Sequence, residues 1–167
     1  LTTFALACAT KATAWLAAPF FFAQLWLGDS TRKSFGRAAL VFAATFGSVM
    51  LPFLVWDFRA VVEDTLILGA NTNYIWGYGI SLWLFAAGVI PDRLSPFPFW
   101  ILQLALGVPT LLALFRYQAR AASPRAMMIA AAIFAFVFIF FSRHLADSYL
   151  GYIVSLGVIG YFSSENA

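Results

Sequence analysis

The sequence predicts an all-α, polytopic transmembrane helical bundle of about five spans plus a re-entrant or interfacial helix. Three observations carry that expectation. Hydrophobic residues make up 63% of the chain and charged residues only 10%, where a soluble domain carries about 25% charged residues. The mean hydropathy is +0.87. The apolar residues come in long unbroken runs such as AMMIAAAIFAFVFIFF, not in the alternating segments of about ten residues that build a membrane barrel. In lipid the backbone polar groups have to be satisfied within each segment, so runs of this kind are helices.

A span needs about 20 apolar residues. Leu1 to Leu27 supplies the first, interrupted by Lys11 and Pro19. The basic loop GDSTRKSFGR follows, and Ala38 to Trp56 is the second span. The most polar stretch of the chain comes next, DFRAVVEDTLILGANTNYIWGYG. Its apolar positions Val61, Val62, Leu66 and Ile67 predict an amphipathic helix from Asp57 to Leu68 lying along the outer interface. Tyr74, Trp76 and Tyr78 suit an interfacial aromatic belt, and Gly77 and Gly79 let the chain turn. Ile80 to Ile90 is apolar but only about 11 residues long, too short to cross. After the turn PDRLSPFP, spans are expected at Phe99 to Phe115 and Ala126 to Phe141, with a shorter final helix at Tyr149 to Phe162.

Short cytoplasmic loops carry an excess of Lys and Arg. If Ile80 to Ile90 does not cross, Arg32, Lys33 and Arg37 share one side with Arg116, Arg120 and Arg125, and that side is cytoplasmic. The N-terminus, Asp92, Arg93 and the SRHLADS turn then face outward. The chain reads as a single transmembrane domain over 1–167. Leu1 falls inside an apolar run with neither a basic n-region nor a cleavage site, so the expectation is the C-terminal part of a longer chain.

The same composition narrows the function classes. Cys8 is the sole cysteine, which excludes an intramolecular disulfide and a cysteine-based metal site. The net charge of +3 is spread over loops, so no nucleic-acid partner is expected. There is no Gly-rich phosphate loop, nucleophile elbow or HExxH motif. No cofactor and no metal are expected.

Charged residues interrupting or flanking the spans are the candidate site. A lysine inside a span is costly, so Lys11 either snorkels to the outer interface or contacts an anion in an outward-facing cavity. Arg143 and His144 supply a guanidinium fork and a second donor for a phosphate, and Arg143 can instead pair with Asp147 at i,i+4. As the only histidine, His144 is also a candidate ligand of a haem or chlorophyll, with no second histidine or Cys–His motif beside it. Asp57, Arg59 and Asp64 form a possible outer-loop site: helical spacing aligns Asp57, Ala60, Asp64 and Leu68 on one face and pairs Arg59 with Glu63 on another.

The segments ACATKATAWLAAPFFFAQL, LPFLVWDFRAVVEDTLIL, YIWGYGISLWL, FPFWILQL and FIFFSRHLADSYLGYIVSLG together resemble the C-terminal half of bacterial integral-membrane glycosyltransferases of the C-type fold. The resemblance implies a multi-pass protein of the bacterial cytoplasmic membrane, with an outward-facing site and a polyprenyl-phosphate sugar as donor. It would set Lys11 and Arg143 near the phosphate. The family's catalytic acidic residue lies upstream of the matched part, so no residue here takes that role. Two rivals stand beside it. One is a non-catalytic integral subunit packed in a larger respiratory or photosynthetic assembly. The other is a small transporter, disfavoured because no pair of broken spans repeats. Membrane lipids are partners under each.

Overall fold

The computed structural model describes residues 1–28, 32–67 and 74–163. Among the described residues it is all-helical, with eight α-helices and no strand. They are α1 (Thr2–Thr10), α2 (Ala18–Gly28), α3 (Arg32–Trp56), α4 (Phe58–Val62), α5 (Ile80–Ala86), α6 (Phe99–Ala121), α7 (Pro124–Phe140) and α8 (Asp147–Phe162). A 3₁₀ turn, Ala12–Ala17, leads into α2, and a π-helical turn, Glu63–Ile67, continues α4.

The first apolar run is not one span. Lys11 is extended (φ −148°, ψ 119°), and the chain doubles back there. Phe4 and Phe21 stack with ring centroids 4.5 Å apart, whereas a straight helix would part them by about 25 Å. The Trp15 indole N–H, donating to the Cys8 carbonyl at 2.7 Å, ties the two arms together. The expected span from Leu1 to Leu27 is therefore corrected to a helical hairpin with Lys11 exposed at its tip. The physical reason lies in that side chain: an ammonium is costly among apolar neighbours, and a turn carries it to an end of the bundle.

The other long runs are helices close to where the sequence puts them. α3 begins at Arg32, earlier than expected, and runs 25 residues through Pro52. α6 extends past Phe115 to Ala121, because Arg116 to Arg120 are good helix formers, and closes on Ala122 in the left-handed conformation (φ 45°). α7 opens on Ser123, whose hydroxyl accepts the Ala126 N–H at 3.2 Å, with Pro124 in the first turn.

α7 is the centre of the bundle. α6, α8, the 3₁₀ turn and α2 all pack on it, while α3 packs mainly on α1. Ala130, Ala131 and Phe134 of α7 are buried together with Phe20 of α2, and Ala135 and Ile139 with Leu145 and Ile153. Buried Gln118 of α6 donates to the Phe20 carbonyl at 2.8 Å and to Gln24 Oε1 at 3.2 Å. These bonds tie the first two turns of α2 to the C-terminal end of α6, and further along α2 Trp26 meets Phe35 of α3 at 5.3 Å. The opposite end gathers Lys11, Trp56, 74–79, 91–98 and 141–147.

Two helices, 34–56 within α3 and α6, are long and apolar enough to cross a membrane. Neither is a core helix: only 6% and 17% of their most apolar stretches are buried. α5, at 7 residues, is about 10 Å long, a third of a bilayer's hydrocarbon core.

Candidate functional site

Three polar segments that are far apart in sequence form a knot at the second end. The Tyr78 N–H donates to the Leu145 carbonyl at 3.0 Å, and Gly77 lies in a short bridge against Leu145. Gly77 has φ +99°, and a Cβ there would sit 2.0 Å from the Leu145 oxygen, so this approach is open to glycine alone. The Ile75 N–H donates to the Arg93 carbonyl at 3.1 Å. Arg143, 1% exposed, completes the knot by donating from Nη1 to the Ser95 carbonyl and from Nη2 to the Arg93 carbonyl, each at 3.0 Å.

The segment receiving Arg143 is itself closed by an Asx turn. Asp92 Oδ1 accepts the Leu94 and Ser95 N–H groups at 2.7 and 2.9 Å, and the Ser95 hydroxyl donates to Oδ2. These bonds, the Ser95 hydroxyl first, hold the Asp92 carboxyl below the usual range, and Arg143 adds to the effect. Burial lowers the pKa of Arg143 while Asp92 opposes the shift, and an arginine keeps its charge throughout. Arg93 turns outward from the knot, its guanidinium 5.1 Å from the Tyr74 ring and 5.2 Å from that of Phe85.

Beside the knot opens a cleft of about 240 Å³ between the 3₁₀ turn, α6, the end of α7 and the start of α8. Its polar lining is Thr13, Gln103, Ser142, His144 and Tyr149, set among Leu16, Phe138 and Ile139. Ser142 Oγ lies 2.6 Å from the Ile139 carbonyl and 2.9 Å from that of His144, and Gln103 donates to the Phe138 carbonyl at 3.1 Å. The Tyr149 ring meets two of the candidates: Lys11 Nζ is 5.5 Å from its centroid, and the His144 ring centroid is 5.5 Å away. Burial pushes the His144 imidazole below its ordinary value, so it is neutral at pH 7 and offers one N–H donor and one acceptor.

The sequence candidates thus separate. Lys11 and His144 meet around Tyr149. Arg143 does not join them: its fork is occupied by two backbone carbonyls, not by Asp147, and its side chain lies in the interior. The sequence expectation of a shared phosphate for Lys11 and Arg143 is replaced by a structural role for Arg143. The third group lies apart. Asp57 is the N-cap of α4, accepting the Ala60 N–H at 2.9 Å. The expected helix continues from there to Ile67 through the π-helical turn, while Leu68 lies outside the described residues. Asp57, Ala60 and Asp64 line an open hollow of about 500 Å³ against Met50, Phe53 and Trp56 of α3, and Arg59 turns away to pair with Glu63 at 2.7 Å. Among the described residues no group of three or more His, Cys, Asp and Glu side chains comes together as a metal-ligand set.

Sequence reasoning missed Tyr149, Gln103, Ser142 and Thr13. Gln103 carried a usable signal, being a lone amide within an otherwise apolar span. Fold and site together define an all-helical chain with a polar cleft at one end of its bundle. No protein-family model, no curated protein and no solved structure matches it.

Proposed function

We propose that this chain is the membrane-embedded part of a glycosyltransferase-like protein that holds the phosphate head group of a lipid-linked donor at the outer face of a bacterial cytoplasmic membrane. The observation that carries the reading is the cleft: its wall holds a neutral histidine and a tyrosine, and the Lys11 ammonium stands 5.5 Å from that same tyrosine ring, at the end of a bundle whose long helices are apolar and exposed. Lys11 supplies a point charge and His144 a directional donor for an anion. The role of general base is assigned to no residue of this chain.

Membrane insertion with five crossings is part of the proposal. It draws support from exposed aromatics at both ends: Trp56, Tyr74, Trp76, Trp83 and Trp100 at the cleft end, and Trp26, Tyr117 and Tyr161 at the other. The crossings are the Ala12–Gly28 arm, α3, α6, α7 and α8. In a cysteine-free background (Cys8→Ala), Leu94→Cys is expected to react with an impermeant maleimide from outside, and Ala121→Cys only after permeabilisation. Both sites are exposed and cap no helix. Labelling of both from the same side contradicts this topology. The broad apolar surface of α3 also suits a second reading, a subunit packed on a larger assembly, which strong protection of Leu40→Cys from a lipid-soluble label would favour.

The head-group reading predicts a pH dependence. His144 has a depressed pKa in the free protein, and a bound anion stabilises its protonated form. Binding of a dialkyl phosphodiester, whose single charge is constant between pH 5 and 8, is therefore expected to tighten as pH falls below about 6.5. The tightening disappears in His144→Gln. A wild-type profile as flat as that of the variant overturns the role of His144.

A further inference from the structure

The bundle holds another cavity, of about 220 Å³, between the folded-back hairpin and the α7–α8 pair. Ala7, Ala14, Ala17 and Ala131 leave the space by their small size, and Tyr152 and Leu156 of α8 wall its far side. Its lining is almost wholly apolar and it is partly open, and enclosed apolar cavities of about 150 Å³ accept a molecule such as benzene, so this chamber suits hydrocarbon.

The chamber and the cleft are built from the same elements. On α8, Tyr149 lines the cleft and Tyr152, one turn on, lines the chamber. In the 3₁₀ turn, Thr13 and Leu16 face the cleft, while Ala14 and Ala17 face the chamber. A mouth lined by His144 and Tyr149, with Lys11 beside it, therefore stands one helical turn from an apolar space. Neither half alone selects an amphiphile, but the pair does, because a phosphate seated at Lys11 has its ester chain within reach of the chamber. We infer that the chamber seats the hydrocarbon tail of the lipid whose phosphate the cleft holds, an assignment that rests on the head-group reading above. The ligand class is a phosphate ester with a hydrocarbon tail, which prenyl phosphates and anionic phospholipids both satisfy.

Bilayer lipid is as apolar as the chamber, so the tail adds little affinity from a membrane, and what it decides is where the chain end lies. The test therefore maps position. Dodecyl phosphate with a diazirine at the end of its chain is photolysed with the protein in phosphatidylcholine nanodiscs, and the labelled peptides are identified. Labelling is expected at Met127 and Met128, which also line the chamber. It is expected to fall at least tenfold in Ala131→Phe, which fills the space, and in Lys11→Ala, which empties the mouth. Should Ala131→Phe not fold, Ala14→Leu fills the chamber from the opposite wall. Competition by geranylgeranyl phosphate, set against phosphatidylglycerol, separates the two lipid sources. Labels confined to outward residues such as Leu40 and Leu104, with head-group binding still dependent on Lys11, overturn the seated tail and spare the cleft. Labelling indifferent to Lys11→Ala overturns both.

Discussion

Replacing Arg143 with methionine is expected to destabilise the fold by about 3–5 kcal/mol, a large share of the 5–15 kcal/mol that a typical domain has. Methionine fills much of the volume but donates nothing. The change removes two charge-assisted hydrogen bonds, each contributing about 1.5–3 kcal/mol, and leaves the Arg93 and Ser95 carbonyls without that donor in the interior of the knot. Arg143→Lys keeps a charge but not the fork, so it reaches one carbonyl and loses about half as much. Thermal unfolding in detergent should show a fall of about 10 °C for the methionine variant and a smaller one for lysine. Equal losses in the two would mean that the charge, and not the fork, holds the knot. An unchanged melting temperature in both would remove Arg143 from the account of the fold.

Gly77→Ala is expected to have the other large effect. A methyl group at 2.0 Å from the Leu145 oxygen cannot be accommodated by rotating a side chain, because the obstacle is backbone. The positive φ adds about 1–2 kcal/mol of strain for any residue with a Cβ. The Gly77–Leu145 approach has to open, which breaks the Tyr78 to Leu145 hydrogen bond and moves the loop that carries His144. A loss of about 3 kcal/mol or more follows, with weaker ligand binding alongside it. Gly88→Ala separates the two causes. Gly88 also has positive φ (73°) but open space around it, so its substitution costs the strain alone. If Gly77→Ala and Gly88→Ala are equally mild, the close approach is not holding the knot.

Legibility followed from how local each feature is. The helices were readable because hydrophobic runs of span length are a property of contiguous sequence, and α3, α6, α7 and α8 fall close to the expected ranges. The hairpin at Lys11 was not, because a run such as ACATKATAWLAAPFFF has the same composition straight or folded. What distinguishes the two is a long-range contact, Phe4 on Phe21. The short-range pairing of Arg59 with Glu63 was legible from i,i+4 spacing. Arg143 was misplaced for the opposite reason. Its partners are carbonyls 48 and 50 residues away, and backbone acceptors leave no trace in side-chain chemistry. Spacing offered Asp147 as the obvious partner, but burial and the geometry of the 91–98 turn decided otherwise. The candidate cleft was half legible: Lys11 and His144 stood out by charge, whereas Tyr149 and Ser142 look ordinary until the fold brings them together.

The central claim is that the cleft at Lys11 and His144 holds an anionic lipid head group, and one comparison tests it most directly. A fluorescent dialkyl phosphodiester is titrated into phosphatidylcholine nanodiscs containing the wild-type chain, Lys11→Ala or Arg59→Ala. Lys11 and Arg59 are both exposed cations on the same end of the bundle, but Lys11 stands against Tyr149 of the cleft, whereas Arg59 is paired with Glu63 away from it. The account predicts that Lys11→Ala weakens binding about tenfold, equivalent to ~1.4 kcal/mol, while Arg59→Ala stays within about twofold of wild type. Wild-type affinity in Lys11→Ala, or an equal loss in Arg59→Ala, would contradict it, leaving at most a diffuse attraction between surface charge and anionic lipid.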